Sequence, residues 1–422
     1  MVFTGNYGFD WCTEAEGWRT VTWATWNDLK GNLVDTHGGR FNHLTGWASP
    51  PNIKYSRWCE AATDLDNATG NFWLDKWEIF YIGGIENLAT LQALDEQDLS
   101  SGTINTLKTA FDRWKPVYPN TLVHGNIIGT ESRFYNGYDT YLVTAKPDLA
   151  FMDAYEFNGN GGTLDKHYYA LKTMRAFGKI GIGSTQYAEP IPYGMWYQCM
   201  SMMGRQQTQP EVCLAMYSPI AYGYKVLKGW VYSYNANIQT TYADVLFSND
   251  NDTGRTAYFD IMAENNRQIE LMGDTLVRLS NEGVWDVNDE NGQIPAWSPS
   301  DIPEITDISA TDDVVISKFV PLHEDFDGSS YNNETYFFLL NGNVPWADTS
   351  KTPANTAQTI TLTMGGGITA LEAIDLSSGA GAGTIETIPV IGGTVSITLD
   401  GGRGKLFKFQ TGAPWVGFYN GE

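Results

Sequence analysis

The sequence predicts an α/β fold, a (β/α)8 barrel followed by a small antiparallel β-sandwich, on three observations. Short apolar runs alternate with helical patterns five times from about residue 77 onward, the signature of a parallel sheet with crossover helices. No glycine-rich dinucleotide fingerprint follows any of those runs, which favours the barrel over an open doubly wound sheet. Beyond residue 303 the pattern changes to strict alternation between Gly- and Asn-rich turns, as antiparallel strands require. The chain has 422 residues, enough for one large barrel with an appendage.

Taken in order, the first 76 residues have to hold three βα units. The candidate strands are 2–7, 20–25 and 40–44, with intervals short for full helices, so the barrel is expected to be irregular or abbreviated in its first third. Residues 77–83 read as a strand. A helix over 103–115 puts Ile104, Leu107, Ala110, Phe111 and Trp114 on one side and is stopped by Pro116 and Pro119. Strand 122–128, helix 139–144, strand 149–153, helix 166–176 and strand 179–184 follow. Next come a helix over 210–223, with Pro210 near its first turn, and a strand over 226–233. An amphipathic helix over 257–279 aligns Phe259, Met262, Ile269, Met272, Leu276 and Leu279. Residues 286–303 carry Gly292, Pro295, Pro299 and Pro303 and read as a linker. Strands 313–320, 335–340, 357–364, 370–374, 394–399 and 404–409 complete the sandwich. The domains are therefore expected at 1–285 and 304–422.

Composition narrows the function classes. Lys and Arg total 26 against 49 Asp and Glu, a formal net charge of −23. That argues against nucleic acid and against an anionic membrane surface, because neither would meet a cationic footprint. Aromatic residues make up 14% of the chain, and rings with a polar edge suit sugar faces as well as ordinary cores. Four cysteines, Cys12, Cys59, Cys199 and Cys213, are too few for a disulfide scaffold and match no zinc spacing. The five histidines form no spaced ligand cluster, so no metal and no cofactor is expected. Acidic turns at 286–291 and 325–329 offer oxygen ligands for a structural calcium but lack the bidentate Glu that ends such a loop. No stretch reaches the roughly 18 apolar residues of a membrane span, and the first residues show no signal peptide. An extracellular, cell-surface or virion-associated setting is expected over a cytoplasmic one.

In a barrel of this kind, side chains at the C-terminal strand ends converge on one mouth. Those ends carry Glu86, then His124 and Asn126, then Asp153 and Glu156, then Gln186 and Glu189, then Tyr232 and Tyr234. Two carboxyl groups across a mouth are what glycosidic cleavage needs: one protonates the leaving oxygen, the other attacks the sugar carbon or activates water. Glu86, Asp153 and Glu189 are the candidate catalytic residues. Trp47, His124, Asn126, Tyr155, Gln186, Trp230 and Tyr232 are candidates for holding the sugar. The plainer alternative for each carboxylate is a loop anchor or a helix N-cap.

Several segments resemble a group of bacterial clan-A glycoside hydrolases, TIM barrels with a C-terminal β-sandwich. Residues 77–86 are similar to their fourth strand, although this chain reads Gly83-Gly84-Ile85-Glu86-Asn87 where the relatives have Gly-Asp-Glu-Pro. Lys146-Pro147-Asp148, running on to Asp153-Ala154-Tyr155, resembles their sixth-strand segment. Gln209-Pro210-Glu211, and Ala221-Tyr222-Gly223-Tyr224-Lys225 running on to Trp230, look like their helix and eighth strand. Leu271, Gly273 and Leu276, with the final Gly402-Arg403-Gly404-Lys405-Leu406-Phe407, fit the closing helix and sandwich. The resemblance implies hydrolysis of an oligo- or polysaccharide with Glu86 as general acid, Asp153 as the second carboxylate, Glu189 as a third candidate and Gln186 in the strand-seven position. The competing expectation is a barrel that kept its carbohydrate binding and lost the chemistry, as a surface or virion component would.

Overall fold

The computed structural model describes residues 8–13, 17–21, 53–59, 90–130, 137–183, 187–230, 242–247, 254–288, 292–322 and 334–417, with 8–13, 17–21, 53–59 and 242–244 described by their strand pairing. Strands β1 (Gly8–Thr13), β2 (Gly17–Val21) and β3 (Ile53–Cys59) form an antiparallel sheet in the order β2-β1-β3, with Trp11 opposite Arg19 on one side and Ser56 on the other. The expected strands at 2–7 and 40–44, and residues 22–25 of the one expected at 20–25, lie outside the described residues. The described strands pair antiparallel and not as members of a parallel sheet.

Residues 90–230 follow the βα alternation. Strands β4 (Thr90–Asp95), β5 (Leu122–Ile128), β6 (Ala150–Asp153) and β7 (Tyr193–Gln198) are followed by the short β8 (Met200–Met202) and then by β9 (Val226–Trp230). Five of them make an all-parallel sheet in the order β4-β5-β6-β7-β9. Helix α1 (Ser101–Trp114) starts where Ser100 accepts from Thr103 N and buries Ile104, Leu107 and Phe111. Helices α2 (Tyr138–Ala145), α3 (Leu164–Ile180) and α4 (Gln209–Ala221) make the later crossovers. The strands alternate cleanly. Leu91, Val123, Ala150, Met152 and Met195 join the core under the helices, while Phe151 and Trp196 form a separate cluster on the other face with Leu122, Val226 and Trp230.

That second face is concave. Lys228 on β9 brings Nζ to 3.1 Å from Nε2 of His124 on β5, although β6 and β7 lie between them. Three strand intervals in a flat sheet span about 14 Å. Trp196 Nε1 on β7 likewise donates to Gln92 Oε1 on β4 at 3.3 Å. The described strands thus curve as part of a barrel wall.

One strand expectation of the parallel sheet is corrected. Residues 179–184 do not form a strand: α3 runs to Ile180, and Gly181 ends it at φ 64° with its N–H donating to Phe177 O. A glycine at positive φ is a helix stop, so the apolar Ile180 belongs to the helix, and the strand comes later as β7. The expected strand at 77–83 lies outside the described residues. The strand before α1 is β4, whose short Leu91-Gln92-Ala93-Leu94 core has no β-branched residue and reads as easily as helix.

Strand β10 (Tyr242–Asp244) pairs with β8, and α5 (Ala257–Leu276) leads into β11 (Leu279–Asp286). Strands β12 (Ile305–Ser309), β13 (Val314–Pro321), β14 (Tyr336–Asn341), β15 (Gln358–Met364), β16 (Ala370–Ile374), β17 (Ile385–Pro389), β18 (Thr394–Leu399) and β19 (Gly404–Phe409) follow. They form a six-stranded sheet, β11-β13-β14-β19-β16-β17, and a three-stranded one, β12-β15-β18. Ile316, Phe337, Leu339, Ile360, Leu362 and Phe407 form the apolar layer they share. Because β11 pairs along its length with β13, the C-terminal sheet begins before the boundary expected at residue 285. The segment expected to be a linker is tied down as well, with Ile302 fully buried and Asp286 N donating to Pro295 O.

Helix α4 locks the two parts together. It is apolar all round because it is buried all round, against β7 on one side and β14 on the other. Thr208 and Glu211 form a reciprocal capping box at its start. Glu211 is fully buried, pairs with Arg205 and accepts from Ala347 N of the C-terminal part at 3.0 Å.

Candidate active site

The C-terminal ends of β4, β5, β6 and β7 bring together Asp95, Glu96, Asn126, Asp153, Tyr155 and Gln198. Each is placed by the strand before it. Between Gln92 and Asp95 the β4–β5 register shifts, and Leu94 and Glu96 take positive φ of 60° and 50°. Non-glycine residues rarely adopt that region, and a bulge of this kind re-aims the side chains that follow it. Asp95 is held by Gln92 Nε2 at 3.0 Å and by Asn126 Nδ2 at 2.8 Å, both on Oδ1. Glu96 N donates to Asn126 O at 3.0 Å, which pins the bulge to the neighbouring strand.

Asp153 ends β6 and is 3% exposed. Its carboxyl is pushed well above the ordinary carboxylate range, first by burial, then by a hydrogen bond to the Glu96 side chain and by the charges of Glu96 and Asp95. Burial alone disfavours ionisation, and a second carboxylate in contact disfavours it further. The protonated form of Asp153 is therefore favoured beside Glu96, and among the described residues its Oδ1 has no hydrogen-bond partner. Burial likewise raises the Tyr155 phenol, with the charges of Asp153, Asp95 and Glu96 adding to it, so the hydroxyl stays protonated beside the acids. Glu156, on the same loop, is also raised by burial. Gln198 spends both amide hydrogens, on Phe157 O and Met200 O at 2.9 Å each, which turns its unpartnered Oε1 the other way. Asn126 Oδ1 is unpartnered too, and its Nδ2 is committed to Asp95.

The expected residues fall into three groups. Asp153, Asn126 and Tyr155 stand at the mouth. Trp230 ends β9 there as well, beside Gln198 in register and edge-on to Trp196 at 5.9 Å. His124 is corrected: it is fully buried one layer down in the concave face, two residues before Asn126 on the same strand. Glu189 is corrected too. It is exposed, bridges Gly181 and precedes β7, at the opposite end of the sheet from Asp153. Its expected place depended on the strand at 179–184 that α3 replaces. Glu86, Trp47, Gln186 and Tyr232 lie outside the described residues. Asp95, Glu96 and Gln198 were not expected. The run Asp95-Glu96-Gln97-Asp98 directly before the Ser100 cap was the available signal, since acids between a short apolar run and a helix start sit at a strand's C-terminal end.

Among the described residues no group of three or more His, Cys, Asp or Glu side chains is placed to hold a metal ion, and no helix is long and apolar enough to cross a membrane. Cys199 and Cys213 are both buried, and Cys213 is a free thiol. Asp286, the first residue of one expected calcium turn, is buried at the end of β11.

No family model matches the sequence, and no curated protein matches it. The solved structures it is similar to include an Anoxybacillus alpha-amylase, at TM-score 0.36 and 12% identity over 72% of this chain and 56% of that one. The GH51 arabinofuranosidase from Xanthomonas axonopodis pv. citri gives TM-score 0.39 and 11% identity, over 83% of this chain and 69% of that one. An alpha-amylase from Geobacillus thermoleovorans, solved with acarbose, gives 0.34 and 10%, over 73% and 57%. The chain thus spans a little over half the length of either amylase.

Proposed function

We propose that this protein is a glycoside hydrolase acting on a neutral oligo- or polysaccharide, with Asp153 as general acid and Glu96 as its carboxylate partner. The observation that carries the reading is the placing of Glu96 beside the buried Asp153 at the C-terminal end of the curved parallel sheet, where burial and the neighbouring acids favour the protonated form of Asp153. A carboxyl group that keeps its proton at neutral pH is what protonation of a glycosidic oxygen requires. As the leaving sugar departs, that proton moves to its oxygen and Glu96 either bonds to the sugar carbon or takes a proton from the attacking water. Asp95, fixed by Gln92 and Asn126, adds negative field where the oxocarbenium charge develops. The net charge of −23 suits a neutral substrate better than an anionic one.

The Glu96 side chain lies against Asp153, so the pair has to open before a sugar can enter between them. Glu96 is exposed and Asp153 is not, so Glu96 is the member that swings aside when a sugar enters. The same contact favours a second reading, a binding module in which the pair never opens. A panel of neutral glycans assayed with the wild type, Asp153→Asn, Glu96→Gln and Glu86→Gln decides between them. The hydrolase account expects turnover that the first two changes each abolish and the third leaves intact. Binding without turnover across the panel supports the module, and turnover that survives Asp153→Asn refutes the acid assignment.

A further inference from the structure

Two lysines three residues apart differ sharply in what surrounds their amines. Lys225, just before β9, donates from Nζ to the carbonyl oxygens of Leu276 and Leu279, each at 2.5 Å, so its amine is committed to the backbone. Lys228, in the middle of β9, has no such commitment. Its Nζ lies 3.1 Å from His124 Nε2, and 4.6 and 5.2 Å from the ring centroids of Phe151 and Trp196. The titratable group facing it is His124 from β5, whereas β6 and β7 face it with those two rings. Among the described residues no carboxylate pairs with it.

His124 is pushed well below its ordinary value, first by its own burial and then by Lys228, so the ring is neutral. Its Nδ1 lies 3.2 Å from Gly125 O, which keeps the ring proton on Nδ1 and leaves Nε2 as a proton acceptor turned toward Lys228. Burial lowers Lys228 to about 7. Lys225 is lowered equally, to about 7, so what separates the two is geometry.

We propose that Lys228 is a second reactive centre, an amine nucleophile that condenses with a small aliphatic aldehyde, a class that includes open-chain aldoses. The Nζ lone pair adds to the carbonyl carbon, and one N–H proton passes by way of His124 Nε2 to the alkoxide oxygen, giving the carbinolamine. His124 Nε2 then takes the second N–H proton and delivers it to the hydroxyl, which leaves as water, and a neutral C=N bond to Lys228 remains. Phe151 and Trp196 supply an apolar wall that excludes water from the imine. Lys228 lies two residues before Trp230 on the same face, about 6.6 Å below the mouth. The site is thus distinct from the acid pair, and its reactivity stands whether or not the hydrolase reading does.

The test is reductive alkylation of the native full-length chain with glycolaldehyde and cyanoborohydride, read by peptide mass mapping. At pH 7 about half of an amine titrating near 7 is free base, against roughly 1 in 2,500 at the ordinary lysine value of 10.4. Lys228 should be modified at least about tenfold faster than the exposed Lys108, Lys225 should stay unmodified, and the advantage over Lys108 should shrink to about threefold by pH 10. A chain carrying Lys228→Arg should show no modification in that peptide. Modification of Lys228 no faster than that of Lys108, or only after unfolding, overturns the proposal. Equal modification of Lys225 and Lys228 overturns it as well.

Discussion

Two buried charged clusters, one in each half of the molecule, show how a structural network differs from a site. In the C-terminal sheet, Lys408 is fully buried and fully supplied. Glu334 lies at 3.0 Å and Glu372 at 3.1 Å, and its Nζ also donates to Ala413 O at 2.8 Å. Trp415 Nε1 and the Thr411 hydroxyl complete the two carboxylates. The cluster thus stitches the C-terminal tail to β16 and β19. At the end of the parallel sheet, by contrast, Asp153, Asn126 and Gln198 are as deeply buried, yet each leaves an oxygen without a donor. The backbone beside them is strained at Leu94 and Glu96. Buried polar atoms ordinarily find partners, and strain persists only where the surroundings enforce it. Complete pairing marks a scaffold, and incomplete pairing with strain marks a place where something else binds.

The contrast can be broken by exchanging what each cluster loses. The largest effect is expected from Asp153→Asn, which keeps shape and removes the acid's proton: about 10²–10⁴-fold in kcat on a cleaved glycan, with the thermal midpoint close to wild type. Steady-state kinetics beside calorimetry checks both halves. Lys408→Met should do the reverse, costing about 3–5 kcal/mol in urea unfolding, because two carboxylates are left buried without their cation, while kcat stays unchanged. A smaller effect concerns pH. Asp153 has a folded-state value raised above its unfolded one, so its contribution to stability is full below the ordinary value of 3.8 and is lost as pH rises toward the raised value. Asp153→Asn should therefore gain stability relative to the wild type as pH rises from 4 toward the raised value, and an unchanged difference across urea curves at rising pH would contradict the dyad. Least of all, Thr208→Ala should cost about 1 kcal/mol by removing the α4 cap, without altering catalysis.

How much the sequence disclosed follows the same division. The C-terminal strands were legible in two ways: β15 and β18 write their burial into every second residue, whereas β13, β14, β16 and β19 are short apolar runs between turn residues, buried along most of their length. Strand β12 was missed just beyond the stretch read as a linker, its Ile305 and Ile308 being its only apolar residues, and β17, half-exposed with an edge position, shows little apolar contrast. In the parallel sheet β5, β6 and β9 were legible as apolar runs. Strand β7 was not, since Tyr193-Gly194-Met195-Trp196-Tyr197-Gln198 is buried on both faces and has no periodicity. That single displacement moved the expected acid from the mouth to Glu189 at the far end. Asp153, Asn126 and Tyr155 were legible because the Lys146-Pro147-Asp148 turn fixes where β6 begins. Glu96 was not, because its aim comes from a bulge and a positive φ that no residue type announces.

The protonation of Asp153 is the claim on which the chemistry turns, and infrared difference spectroscopy of wild type minus Asp153→Asn at pH 7 reads it directly. The account predicts a band of a protonated carboxyl group in the wild type that vanishes in the variant and shifts in Glu96→Gln. A difference spectrum showing only carboxylate stretches at pH 7 would contradict it.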